Sequence, residues 1–332
     1  MPDAERRSIP ARTLALYSAA LGLVLAALAY VAYRELVHYE RRAVRHVPER
    51  ATLALRVDLE QVALFEPVRA HLLPLVERVP LGPGDSMATD RLARLRQTAG
   101  FNLGLDLREL VFASLDEGRA WVLVVGGLFP GGDLVGRIEA ALETEPGAQV
   151  RREGSLLLLG PAALVLTRAA DGVLLLASDA AAVEQALAPS EAYRALGVAT
   201  EGAAALGIRA GWLEAGSASA PSGFSRVTGR LDLGDPFPLT LELAHAVPNP
   251  GPARQALERW LRVDTSALAP AADWGGERAV LARARFEEPP SRALTIAMTS
   301  WAPTELDRAC RRLAVWLEAR ATSPGHSTRA GP

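Results

Sequence analysis

The chain has 332 residues, 49% of them hydrophobic and 22% charged, a globular composition that excludes a disordered or collagen-like chain. Its 36 basic and 38 acidic residues nearly cancel, leaving a net charge of −2 and no overall basic footprint for nucleic acid. Every basic residue is arginine, and the lack of lysine excludes a P-loop, a protein-kinase site, Ser-x-x-Lys acyl enzymes and Schiff-base chemistry.

Codons rich in G and C account for this bias, since Ala, Arg, Leu, Gly and Pro dominate and only Asn102 and Asn249 represent asparagine. One cysteine, Cys310, excludes an intramolecular disulfide and a cysteine zinc cage.

Residues 1–12 form a short tail carrying Arg6, Arg7 and Arg12. Thr13–Tyr33 then runs 21 residues without a charge, which predicts a transmembrane helix long enough for a bilayer core. Tyr17, Tyr30 and Tyr33 stand near its two ends, where amphipathic rings favour the interface. Ala27-Leu28-Ala29 also fits a signal-peptide cleavage site. The apolar run continues past that site to Tyr33, which favours an uncleaved signal-anchor. Residues 34–50, rich in Arg and Glu, are expected to continue as a charged helical stalk.

Two α+β halves are predicted to follow, over 51–197 and 198–320, with a disordered tail over 321–332. In the first, alternation predicts a strand at Thr52–Asp58, then a helix over Leu59–Glu77 that Pro67 and Pro74 can break. A second helix is expected from Ser86 or Asp90 to Ala99. Strands Leu110–Ser114 and Arg119–Gly127 flank the turn Asp116-Glu117-Gly118. Asp133 is placed to cap a helix over Leu134–Leu142, and the runs Ser155–Leu159, Ala163–Thr167 and Val173–Ala177 read as an antiparallel meander. Ser178 or Asp179 caps Ala180–Leu187.

The second half has strands at Leu206–Ala210, Ser225–Leu233 and Leu239–Val247, the last two joined around Gly234-Asp235-Pro236. A helix over Pro252–Leu261, strands Ala279–Phe286 and Ala293–Thr299, and a helix Glu305–Arg320 capped by Thr304 complete it. The match of 53–57 to 206–210 reads either as the trace of a diverged duplication or as chance similarity of two alternating strands. The expected class is therefore α+β: an N-terminal transmembrane helix, then antiparallel sheets packed with helices.

Catalytic signatures are missing: the chain has no HExxH, CxxC, GxSxG, EF-hand loop or GxGxxG. The stretch GGLFPGGDLVG at 126–136 has the wrong spacing for a dinucleotide loop. Of five histidines, His38 and His46 fall in the stalk and His326 in the tail. His71 and His245 have no second ligand nearby in sequence, though a distant Asp58–His71 or Asp232–His245 pair would suit a hydrolase. Asp106 is a further candidate partner. Glu287-Glu288 reads as a solvated loop, and Cys310 as a buried, inert thiol. Among the tryptophans, Trp121 and Trp316 fit core positions, whereas Trp274 and Trp301 lie in or near loops that could bind. No catalytic, cofactor-binding or metal residue is assigned, and no cofactor is expected.

Ala51–Leu59, Phe65-Glu-Pro-Val-Arg69, Leu103–Asp106 and Ser178–Val183 followed by Ala186-Leu187 carry a resemblance. Over about residues 50–197 the chain resembles uncharacterised bacterial single-pass envelope proteins with one N-terminal membrane helix. That resemblance implies an inner-membrane protein of unknown function and supplies no catalytic residues.

Together these features lead to the expectation of a non-enzymatic binding or scaffold domain, anchored in the lipid bilayer through Thr13–Tyr33. The domain is expected on the extracytoplasmic side with an unidentified protein partner and no nucleic acid. The alternatives are an unfamiliar Asp/His hydrolase, or a carrier of an apolar ligand with a cavity between sheet and helices.

Overall fold

The computed structural model describes residues 39–72, 96–100, 106–144, 149–160, 164–210, 223–234, 236–246, 251, 255, 280, 283–289 and 293–322. Arg41–Pro332 forms one compact unit; the other, Met1–Glu40, lies almost wholly outside the described residues.

Alternation builds the first strand, β1 (Ala51–Asp58), in which Ala54, Arg56 and Asp58 point to one face and Leu53, Leu55 and Val57 to the other. Asp58 ends it by accepting the Gln61 amide, which starts the short helix α1 (Leu59–Leu64). Phe65 then adopts an extended backbone ahead of Pro67, and the chain restarts as α2 (Glu66–His71). The single helix expected over Leu59–Glu77 is thus two short ones, and its remainder beyond residue 72 lies outside the described residues.

β2 (Leu107–Leu115) and β3 (Ala120–Gly127) form a hairpin around Asp116 and Glu117, both left-handed, at φ 47° and 60°. Asp133 caps α3 (Leu134–Glu143) through the Gly136 amide. A four-strand meander follows, β4 (Val150–Glu153), β5 (Leu156–Leu159), β6 (Leu164–Arg168) and β7 (Leu174–Ala177). Asp179 caps α4 (Ala180–Leu187), Ser178 instead bonding Trp121 and Asp179; α5 (Ala192–Leu196) follows and stops at left-handed Gly197.

Then come β8 (Ala204–Arg209), β9 (Phe224–Leu231), β10 (Phe237–His245), β11 (Arg285–Glu287) and β12 (Leu294–Trp301). The final helix α6 (Pro303–Thr322) begins at Ala302, whose amide the Glu305 carboxylate accepts, with Pro303 at the first helical position. Ala302 takes the capping place expected of Thr304. The expected helix Pro252–Leu261 lies largely outside the described residues.

All twelve strands among the described residues join one sheet, in the order β11-β12-β10-β9-β8-β1-β2-β3-β7-β6-β5-β4, and every described pairing is antiparallel. This corrects the expected α+β class with a leading transmembrane helix: among the described residues one large antiparallel sheet dominates, with few helices. The segments 53–57 and 206–210 are adjacent antiparallel strands at its centre, Leu55 opposite Leu206.

No helix among the described residues is long and apolar enough to cross a membrane. The longest, α6, has 20 residues but carries Glu305, Asp307, Arg308, Arg311 and Arg312. Thr13–Tyr33, on which the bilayer contact rested, lies outside the described residues. The expected single-pass, signal-anchored inner-membrane location therefore finds no membrane-crossing helix among the described residues.

The main core lies on one face of the sheet. Ala54, Val111, Ala113, Val122, Val124, Leu175 and Ala177 pack there against α4, α5 and a 3-10 turn at Ala43–His46. That turn belongs to the segment expected as a solvated stalk, yet Ala43, Val44, His46 and Val47 are buried. The small or branched side chains of Ala43, Val44 and Val47 join the main core, and Ser190 clips the segment by donating to the Arg45 and Val47 carbonyls. On the opposite face, α3 covers β5, β6 and β7 through Leu134, Val135 and Ile138.

Candidate functional site

The inward parity of Arg56 and Asp58 sends two charges into the main core. Arg56 is 0% exposed and Glu109 1%. Arg56 Nε donates to Glu109 Oε1 at 2.8 Å, and its two terminal nitrogens donate to the Gly202 carbonyl at 3.1 Å and Asp58 Oδ2 at 3.4 Å. Asp58 also accepts from Arg41 at 2.8 Å and from the Gln61 side chain at 3.1 Å. Glu109 Oε2 accepts the Ala43 amide at 3.0 Å. Each buried charge is met by opposite charge and by backbone, the Gly202 carbonyl accepting from Arg56 and the Gln61 and Ala43 amides donating to Asp58 and Glu109, the condition under which buried ions are tolerated. The network joins β1, β2, the Gly202 loop and the Arg41–Val47 segment, so its role is structural.

His46 is equally enclosed. Its Nδ1 donates to the Ala186 carbonyl at 2.6 Å and its Nε2 lies 3.0 Å from Asp171 Oδ2. The ring thereby ties the 3-10 turn to the end of α4 and the β6–β7 connection.

The histidines considered for hydrolysis meet other partners. His71 Nε2 lies 2.8 Å from Asp307 Oδ1 on α6, and that hydrogen bond holds the Asp307 carboxyl below the usual carboxylate range. His245 Nε2 lies 2.7 Å from Thr295 Oγ1, and burial lowers its affinity for a proton. Its Nδ1 finds no hydrogen-bond partner among the described residues, and the ring rests near Phe224. Asp232 bonds Arg230, not His245. The Asp58–His71 and Asp232–His245 pairs are not assembled. Burial, with the nearby Asp307 charge, pushes the Cys310 thiol up, away from a nucleophilic thiolate. Among the described residues no three His, Cys, Asp or Glu side chains gather to hold a metal ion.

A different feature stands out on the face opposite the buried charges. Register places Phe286, Ala297, Leu241, Gly229, Leu206, Leu55, Phe112, Leu123, Leu176, Leu166 and Leu157 in one row across eleven strands. Glycine at 229 leaves room for its neighbours: a Cβ there would meet Leu241 Cδ2 at 3.0 Å and Leu206 Cβ at 3.6 Å. Toward β4 the row is covered by α3. At its centre Leu55 is 38% exposed, with Leu206, Phe112 and Leu123 half-buried. Beside it Trp121 stacks on Phe112 with ring centroids 6.3 Å apart. Trp301 ends β12, while Trp212, Trp260 and Trp274 lie outside the described residues.

Sequence reasoning assigned none of these residues to a site. A usable signal was present: β3 reads AWVLVVGG, apolar at both parities, so both of its faces meet apolar surroundings or a partner.

No protein-family model matches the chain, and no curated protein matches it. Among solved structures, crystal form III of TP0453 is similar at 11% identity and a TM-score of 0.46, over 84% of this chain and 99% of that one. Crystal form I of TP0453 gives 10% and 0.44 over 86% and 100%, and form IV gives 11% and 0.42 over 88% and 100%. At such TM-scores the likeness carries no argument about what this chain does.

Proposed function

We propose that this chain is a non-enzymatic binding domain whose contact surface is the central apolar strip Leu55, Phe112, Trp121, Leu123 and Leu206. One observation carries the reading: this row of large apolar side chains is left part-exposed at the middle of the sheet, where apolar surface ordinarily marks an interaction site. Arg56, Asp58, Glu109, His46 and His71, by contrast, are engaged in internal pairs.

The favoured occupant is an apolar face of a protein partner. From β9 to β3 the strip crosses five adjacent strands, roughly 19 Å at about 4.8 Å per step. That breadth accommodates a helix about 10 Å wide and exceeds what one acyl chain needs.

A photo-crosslinking residue at position 55 or 123, in the full chain within its native cells, should give one discrete protein adduct. Leu206→Arg should abolish that adduct without lowering the melting temperature. An adduct indifferent to Leu206→Arg, or crosslinking to small apolar molecules alone, would overturn the proposal.

A further inference from the structure

The helices α1 and α2 show how access to that strip is controlled. None of their twelve residues is fully buried, and Leu64 is 76% exposed. They are therefore held by little apolar burial of their own, unlike α4, which buries Ala182, Val183 and Ala186.

Among the described residues, three side-chain contacts pin them at separate points. Glu60 pairs with Arg108 of β2 at 3.2 Å. The Phe65 ring, at the break between the helices, meets the Phe237 ring edge-on at 4.9 Å. His71 pairs with Asp307 of α6 at 2.8 Å, across 236 residues of sequence.

Phe237 opens β10 in phase with Leu239, Leu241 and Leu243, so it belongs to the apolar face. The two helices thus run from β2 to β10 along one end of that face, next to Val57 and Ala204 and one row from Leu55 and Leu206.

We propose that α1–α2 is a lid over the end of the apolar strip, hinged where α1 leaves β1 at Asp58 and clasped shut by the His71–Asp307 pair. The proposal rests on the strip being the contact surface. Low burial lets the lid open without unfolding the sheet, because local stability follows local burial and contact density. The clasp joins two elements with 35% or less of either side chain exposed, so its hydrogen bond is partly shielded from water. A partner sliding under α1 would compete with the Phe65–Phe237 contact and gain Val57 and Ala204 as further apolar surface.

Hydrogen exchange on the full chain tests the lid without any partner. His71→Ala and Asp307→Ala should each speed exchange of amides 59–72 roughly tenfold, with the double variant no faster than either single one. Exchange in β1, β2 and β8 should stay unchanged. Equal acceleration of lid and sheet, or no acceleration at 59–72, would overturn the lid. In the crosslinking experiment the same variants should raise adduct yield from position 57 several-fold. A lid that opens by exchange while no adduct forms at 55, 57 or 123 would sink the proposed binding function and leave the hinge standing; an adduct whose yield ignores the clasp would do the reverse.

Discussion

The two faces of the central sheet solve opposite problems with adjacent residues. On one, Ala54, Arg56 and Asp58 turn inward, and the Arg41–Val47 segment, α4 and α5 close over them until ions are enclosed. On the other, Leu53, Leu55 and Val57 belong to an apolar face that α3 covers at one flank and that is left part-exposed at its centre. Charge is buried where the fold must be unique, and apolar surface is exposed where something else can dock. Hydrophobicity alone would have arranged the two faces the other way round.

The sharpest way to break this comparison is to leave one ion unpaired. Glu109→Ala strands the Arg56 guanidinium and is expected to destabilise the protein by about 3–5 kcal/mol in denaturant titration. Arg56→Met with Glu109→Leu should cost much less than Glu109→Ala alone, since the cost comes from an unmet charge more than from a lost attraction. Equal losses would mean the network is not closed as described.

Next in size is the contrast between neighbours. Ala54→Leu, aimed into the packed face, should cost about 1–3 kcal/mol by overpacking. Leu55→Asn, one residue on and facing out, should cost under about 1 kcal/mol while weakening the proposed contact. A reversed order in the two melting temperatures would place the faces wrongly.

A smaller effect is expected at the clasp. Hydrogen bonding from His71 depresses the Asp307 carboxyl, so its stabilising contribution is complete above the carboxylate range of the unfolded chain. It is lost as pH falls through the lower folded value. Acid titration of wild type against Asp307→Asn should therefore converge at low pH and diverge above it, with the difference seen in exchange at 59–72. The smallest change is expected at the hairpin: Glu117→Gly relieves a left-handed backbone at φ 60° and should raise stability by about 1 kcal/mol.

Much of the local structure was legible before any tertiary information. Alternation marked β1, β2, β3 and the four-strand meander, and the acidic residues Asp133 and Asp179 stood where helix caps belong. These are short-range effects, set by side-chain parity and by a carboxylate reaching an amide three residues on. The Arg41–Val47 segment misled for a related reason: its four charged or histidine residues, Arg41, Arg42, Arg45 and His46, read as solvated, although Ala43, Val44 and Val47 are buried. Two of the five strip residues, Trp121 and Leu123, were readable in principle from β3, whose two apolar parities imply two covered faces.

Sequence by itself determined which chemistries are closed to this protein, because a chain without lysine and with one cysteine cannot supply those groups, and it determined where most strands and caps fall. Tertiary structure decided the rest: that β1 sits between β2 and β8, that Arg56 meets Glu109 and His71 meets Asp307, and that eleven strands align their apolar side chains into one row. The two ion pairs join residues 53 and 236 positions apart. Strand order and register are set by competition among many alternating strands with nearly equal local preference, and the packing of the whole sheet chooses among them.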